Sequence, residues 1–63
     1  MTDQSPRIER LPAVLHRTGL ARSSVYALLA RGEFVKPVKL SARSIGFIAA
    51  EVDQWIADRA AAR

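Results

Sequence analysis

Residues able to do chemistry are few in this chain, and most of them are basic. His16 is the only histidine and there is no cysteine. A metal site needs several such ligands converging, so none is expected, and neither is a disulfide framework. His16 with Ser23 or Ser24 is the one grouping that resembles a base and its nucleophile. The serines, however, fall at the solvent-facing start of a helix, where a hydroxyl caps the helix or contacts phosphate. His16 reads as a surface residue. No pair of carboxylates sits beside a second titratable group in a pocket, and no glycine-rich phosphate loop is present. We therefore expect no catalytic residue, no cofactor and no enzyme.

The cations carry the remaining signal. Arg17, Arg22, Arg31, Lys36, Lys39 and Arg43 face a single anion, Glu33, giving the segment 17–43 a net charge of +5. The rest of the chain holds Arg7, Arg10, Arg59 and Arg63 against Asp3, Glu9, Glu51, Asp53 and Asp58, a net of −1. The whole +4 is thus concentrated in the middle. Such asymmetry suits a polyanionic partner, because phosphate contacts supply most non-specific nucleic-acid affinity. The plain alternative is a solvated basic surface.

The elements that must position these charges follow from periodicity. Val25, Leu28 and Leu29 recur at the i, i+3, i+4 spacing of one buried helical face. Ser23, Ala27 and Ala30 then point away from it, with Tyr26 on one flank and Ser24 and Arg31 on the other. Gly32 ends this helix, since a left-handed terminal turn is cheap only for glycine. The outward face is small, polar and basic, and fits a DNA groove as readily as it fits water. Before it, Pro12 suits the first turn of a helix, and Leu11, Val14, Leu15 and Thr18 keep helical spacing up to Gly19. Two short helices joined by a glycine turn of about three to four residues make a helix-turn-helix pattern.

After Gly32 the period changes. Residues 33–37 read as a loop, with Pro37 holding Lys36 extended. Val38-Lys39-Leu40 alternates as a half-buried strand, Ser41 to Ser44 is a polar turn, and Ile45 to Ile48 resumes a strand. The hairpin carries Arg43 at its tip, and Gly46 marks a bulge or a close backbone approach. Residues 49–59 form a third helix that buries Val52, Trp55 and Ile56. Trp55 is expected to anchor the core with its N–H on a polar partner. Arg7 to Arg10 reads as a short extended piece, residues 1–6 as a disordered tail and 60–63 as a frayed end. One small domain over 7–59 results, with an expected core of Val14, Leu15, Leu20, Val25, Leu28, Leu29, Leu40, Phe47, Val52, Trp55 and Ile56. No apolar run approaches the ~20 residues that span a bilayer. The first residues have no signal-peptide core, so a cytoplasmic protein without a membrane partner is expected.

In this order the residues resemble the AlpA family of small prophage regulators, within the excisionase-like and MerR-like winged-helix group. The match is carried by Thr18-Gly19-Leu20, Arg22-Ser23, Val25-Tyr26, Leu28 and Arg31-Gly32-Glu33-Phe34. Pro37-Val38-Lys39-Leu40-Ser41, Gly46-Phe47 and Glu51-Val52-Asp53-Gln54-Trp55-Ile56 continue it, so that it spans roughly 8–59. The resemblance implies a mainly α fold with a small β-hairpin, a three-helix winged helix-turn-helix domain in a bacterial, nucleoid-associated setting. It implies DNA-bound control of phage-derived genes, or excisionase-like assistance to recombination as a directionality factor. The chain departs from the family pattern in four places. Ala21 and Ala50 stand where serines often cap helices, Ala27 where arginine is common, and Phe47 where tryptophan is usual.

On the DNA reading, the helix at about 22–31 enters the major groove and the wing at about 38–47 lies on the backbone or minor groove. Arg22 contacts either guanine O6 and N7 or a phosphate. Ser23 and Ser24 reach phosphates or base edges, and Ala27 offers at most contact with a thymine methyl. Tyr26 either sets its hydroxyl on a phosphate or props the hairpin. Arg31, Lys36, Lys39 and Arg43 contact the backbone. The partners are double-stranded DNA and, in a regulatory complex, a recombinase or RNA polymerase. Without a dimerisation helix, we expect a monomer or weak dimer that binds adjacent sites cooperatively. The competing readings are a phage protein–protein adaptor and the DNA-binding domain of a packaging enzyme.

Overall fold

The computed structural model describes residues 7–63; the expected tail over 1–6 lies outside the described residues. Six elements follow one another: β1 (Ile8–Arg10), α1 (Leu11–Thr18), α2 (Arg22–Ala30), β2 (Val38–Ser41), β3 (Ser44–Ile48) and α3 (Ala49–Ala61). The three helices and the hairpin expected from periodicity are all present, and the fold is that of a winged helix-turn-helix domain.

Both helix stops are glycines in the left-handed region. Gly19 (φ 74°) closes α1 by donating its N–H to Leu15 O at 2.9 Å. The Thr18 hydroxyl donates to Val14 O at 2.8 Å and accepts from the Leu20 N–H at 3.3 Å, tying down the corner. Only Gly19, Leu20 and Ala21 separate α1 from α2. At the far end of α2, Gly32 (φ 71°) donates to Leu29 O and Glu33 to Leu28 O, at 3.1 and 2.8 Å. This paired arrangement satisfies the last carbonyls of the helix and reverses the chain.

The sheet has three strands, ordered β1-β3-β2 and antiparallel throughout. The extended piece near the N-terminus is its added strand, pairing Ile8 with Ile48, Glu9 with Phe47 and Arg10 with Gly46. Glycine at 46 is required by that close approach. A Cβ there would overlap Ile8 Cγ2 and lie 3.3 Å from the Glu9 carbonyl oxygen. Where β1 begins, Arg7 O accepts the Ala49 N–H at 2.7 Å. That bond serves the start of α3, whose capping position, Ile48, has no side-chain oxygen to offer. Ala50, where the family pattern often has a capping serine, lies inside the helix. A serine there would occupy the first turn and not the cap.

The core is partly the expected one. Val14, Val25, Phe47 and Val52 are fully buried, and Leu11, Phe34, Val35 and Ala49 nearly so. Leu15, Leu20, Leu28, Leu29, Trp55 and Ile56 are half-buried around them. Phe34 and Val35, read as loop, are a loop that folds inward: the Phe34 ring sits edge-on against Phe47 (5.6 Å) and Trp55 (4.8 Å). Trp55 anchors this cluster from the edge, its N–H donating to Glu33 O at 3.0 Å. Leu40 does not join the core and is 43% exposed. It sits where the β2–β3 register shifts between Lys39 and Ser41. Neither Ala42 nor Arg43 has a positive φ. The turn is therefore not one of the mirror-image types that match strand twist, and the adjoining strand carries an irregularity instead. Finally, α3 runs two residues past the expected end at Arg59, to Ala61, because alanines are the best helix formers.

Candidate nucleic-acid interface

All nine residues singled out on the DNA reading are exposed: Arg22, Ser23, Ser24, Tyr26, Ala27, Arg31, Lys36, Lys39 and Arg43. The fold brings some of them together. Arg22 and Tyr26, one helical turn apart on α2, share a cleft with Arg43 and Ser44 of the wing turn. Leu11, Pro12 and Ile45 also line this cleft, whose volume is about 190 Å³. The first turn of α2 and the tip of the wing thus border one concave surface. Ser23, Ser24 and Ala27 occupy other parts of the exposed α2 face, and Lys39 the edge strand β2.

Arg10 also lines the cleft, and sequence reasoning missed it. It belongs to the part of the chain whose charges sum to −1, and nothing in local spacing ties it to residues 22 or 43. The one usable signal was Gly46: a glycine marking a close approach implies a neighbouring strand, and the register sets Arg10 opposite it. Arg31 goes elsewhere. It borders a second, wider cleft with Leu20, Leu28, Glu33, Trp55 and Arg59, and its Nε donates to Glu33 Oε1 at 3.1 Å.

Ion pairing sorts the cations further. Arg17 donates to Glu9 Oε1 through Nη2 (2.8 Å) and Nε (3.2 Å), to Asp53 Oδ1 through Nη1, and to the Ala49 carbonyl at 3.3 Å. The hydrogen bond to Asp53, then that to Glu9, raises its pKa above the ordinary arginine value. Arg17 therefore stays charged and committed, bridging β1, α1 and α3. Arg7 lies 3.7 Å from Glu9, and the Arg59 guanidinium stacks 4.8 Å from the Trp55 ring centre. Arg10, Arg22 and Arg43 have no carboxylate partner among the described residues. The unpaired positive charge is therefore not that of the segment 17–43 as a whole: Arg10, Arg22 and Arg43 line one cleft, while Lys36 and Lys39, likewise without a carboxylate partner among the described residues, lie outside its lining. Among the described residues no buried titratable group accompanies it.

A helix-turn-helix whose second helix meets a basic wing defines a class, the small winged-helix domains. The chain belongs to the AlpA family: residues 7–60 match the family described as Prophage CP4-57 regulatory protein (AlpA). This is a family of regulatory proteins and not of enzymes. The chain is 41% identical over 59 residues to the DNA-binding transcriptional activator AlpA of Escherichia coli K12, covering 84% of each chain. It is 40% identical over 57 residues to the uncharacterized protein ORF88 of Enterobacteria phage P4, covering 90% of this chain and 65% of that one. The present chain thus spans about two thirds of the length of the phage protein. No solved structure matches it. No helix among the described residues is long and apolar enough to cross a membrane.

Proposed function

We propose that this chain is a sequence-specific DNA-binding transcriptional regulator, with α2 in the major groove and the β2–β3 wing on the backbone or minor groove. The observation that carries the reading is the shared cleft of Arg22 and Tyr26 with Arg43 and Ser44. A helix and a wing can straddle a duplex only if their basic residues open onto one surface. The E. coli relative's description as a DNA-binding transcriptional activator supports the same reading. On this reading Lys36, Lys39 and Arg43 bind phosphates, while Ser23, Ser24 and Ala27 face the base edges.

The test is fluorescence anisotropy on duplexes over a salt series, with footprinting on the chain's own upstream region. About four or five phosphate contacts give a log–log slope near −4. Arg43→Ala weakens binding to specific and random duplexes alike. A flat salt response would favour the protein–protein adaptor and overturn the DNA reading.

A further inference from the structure

We infer that Arg10 is a DNA-backbone ligand, and that one strand of the duplex backbone runs through the cleft formed by Arg10, Arg22 and Arg43. This inference rests on the DNA reading and extends it, adding a residue from outside the helix-turn-helix and the wing.

Three guanidinium groups from three separate parts of the fold line this cleft: β1 at its junction with α1, the first residue of α2, and the wing turn. Among the described residues no acidic side chain borders it. Like charges brought this close repel, and proteins commonly interleave carboxylates to offset that. This chain does so elsewhere, giving Arg7 and Arg17 to Glu9, Arg17 also to Asp53, and Arg31 to Glu33. At the cleft it leaves the charge unbalanced, a state that suits an anion arriving from outside. The Tyr26 and Ser44 hydroxyls, also on the lining, are neutral donors to phosphate oxygens. Arg10 is held in place through its backbone, paired opposite Gly46, and its side chain has no carboxylate partner among the described residues to give up on binding.

The same geometry decides between the two roles open to Arg22. Bordering the cleft with Arg10 and Arg43, Arg22 grips backbone. Base reading then falls to Ser23, Ser24 and Ala27 farther round α2.

The test uses the full chain and duplex DNA carrying its footprinted site, compared with a random duplex. Arg10→Ala lowers affinity for both by about the same factor, roughly tenfold at 0.1 M salt, and reduces the salt slope by about 0.9. Arg10→Lys restores the slope. Arg10→Gln repeats the loss should the alanine variant melt early, and Arg63→Ala leaves slope and affinity as they were. A scan of single uncharged methylphosphonate linkages locates the contacts. Substitutions at Arg10, Arg22 and Arg43 lose their cost at the same or adjacent phosphates of one strand. An unchanged slope in a folded Arg10→Ala protein overturns the role of Arg10. Couplings scattered over both strands overturn the shared cleft, and so does Arg22→Ala relaxing specificity. A wild-type chain that fails to bind any duplex removes the DNA reading itself, an outcome distinct from all of these.

Discussion

Arg17 and Arg22 stand five positions apart in the helix-turn-helix, and their surroundings give them opposite work. Arg17 has Glu9 and Asp53 within reach and joins the three elements that carry them. Arg22 has no carboxylate partner among the described residues and turns toward the cleft. The distinction is measurable. Arg17→Ala lowers the melting temperature, because it strips two carboxylates of their partner and a carbonyl of its donor. Measured where the variant is folded, it leaves the salt slope of DNA binding unchanged. A slope reduced by about one would mean that Arg17 neutralises a phosphate after all. Trp55 shows the same dependence on context: half-buried, it meets the Phe34 ring at a steep angle, gives its N–H to the Glu33 carbonyl and lies with its face beneath Arg59.

Among the elements, α2 starts without a side-chain cap. Its capping residue, Ala21, has the extended backbone a cap requires (φ −76°, ψ 156°) but no side-chain oxygen. Ala21→Ser supplies one for the exposed N–H groups of the first turn. Thermal melts should show a gain of about 1 kcal/mol, a rise of about 4–8 °C in a domain this small. Strand β1 poses the reverse case, an element that depends on a missing side chain. Gly46→Ala pushes a methyl into Ile8 and toward the Glu9 carbonyl. We expect a loss of about 1–3 kcal/mol, the usual cost of overpacking, with hydrogen exchange speeding first at the β1 amides. Because β1 ends in Arg10 and follows directly on Arg7, whose carbonyl accepts the Ala49 N–H at the start of α3, its loosening disturbs the cleft as well.

For the molecule as a whole, one recognition helix and one wing read about one half-site. That rarely gives control against a genome of competing sites. Helix-turn-helix proteins usually solve this by dimerising. Here α3 spends Val52, Trp55 and Ile56 on the chain's own core. We therefore predict a monomer or weak dimer that occupies adjacent sites cooperatively, so that affinity per site rises with the number of sites. Sedimentation of the free protein, and mobility shifts on duplexes with one, two and three sites, check it. A stable nanomolar dimer, or the same affinity per site throughout, would contradict this model. Recombinase and RNA polymerase are the partners to add to such shifts.

Local chemistry alone settled much of this protein. The apolar periods of α1 and α2, the glycines that end them and the change to alternation after Pro37 all act within a few residues. They were legible in the chain, as was the resemblance built from them. Tertiary structure decided the rest, since each remaining feature joins residues distant in sequence. The extended piece became a strand only by meeting β3, Phe34 and Val35 became core only by reaching Phe47 and Trp55, and Leu40 was left outside by a register shift. Charge was the deepest case. Counting along the chain placed Arg17 with the basic segment and Arg10 outside it, and the fold reversed both. Whether a cation is available depends on which carboxylates lie within a few ångströms, and periodicity carries no information about that distance.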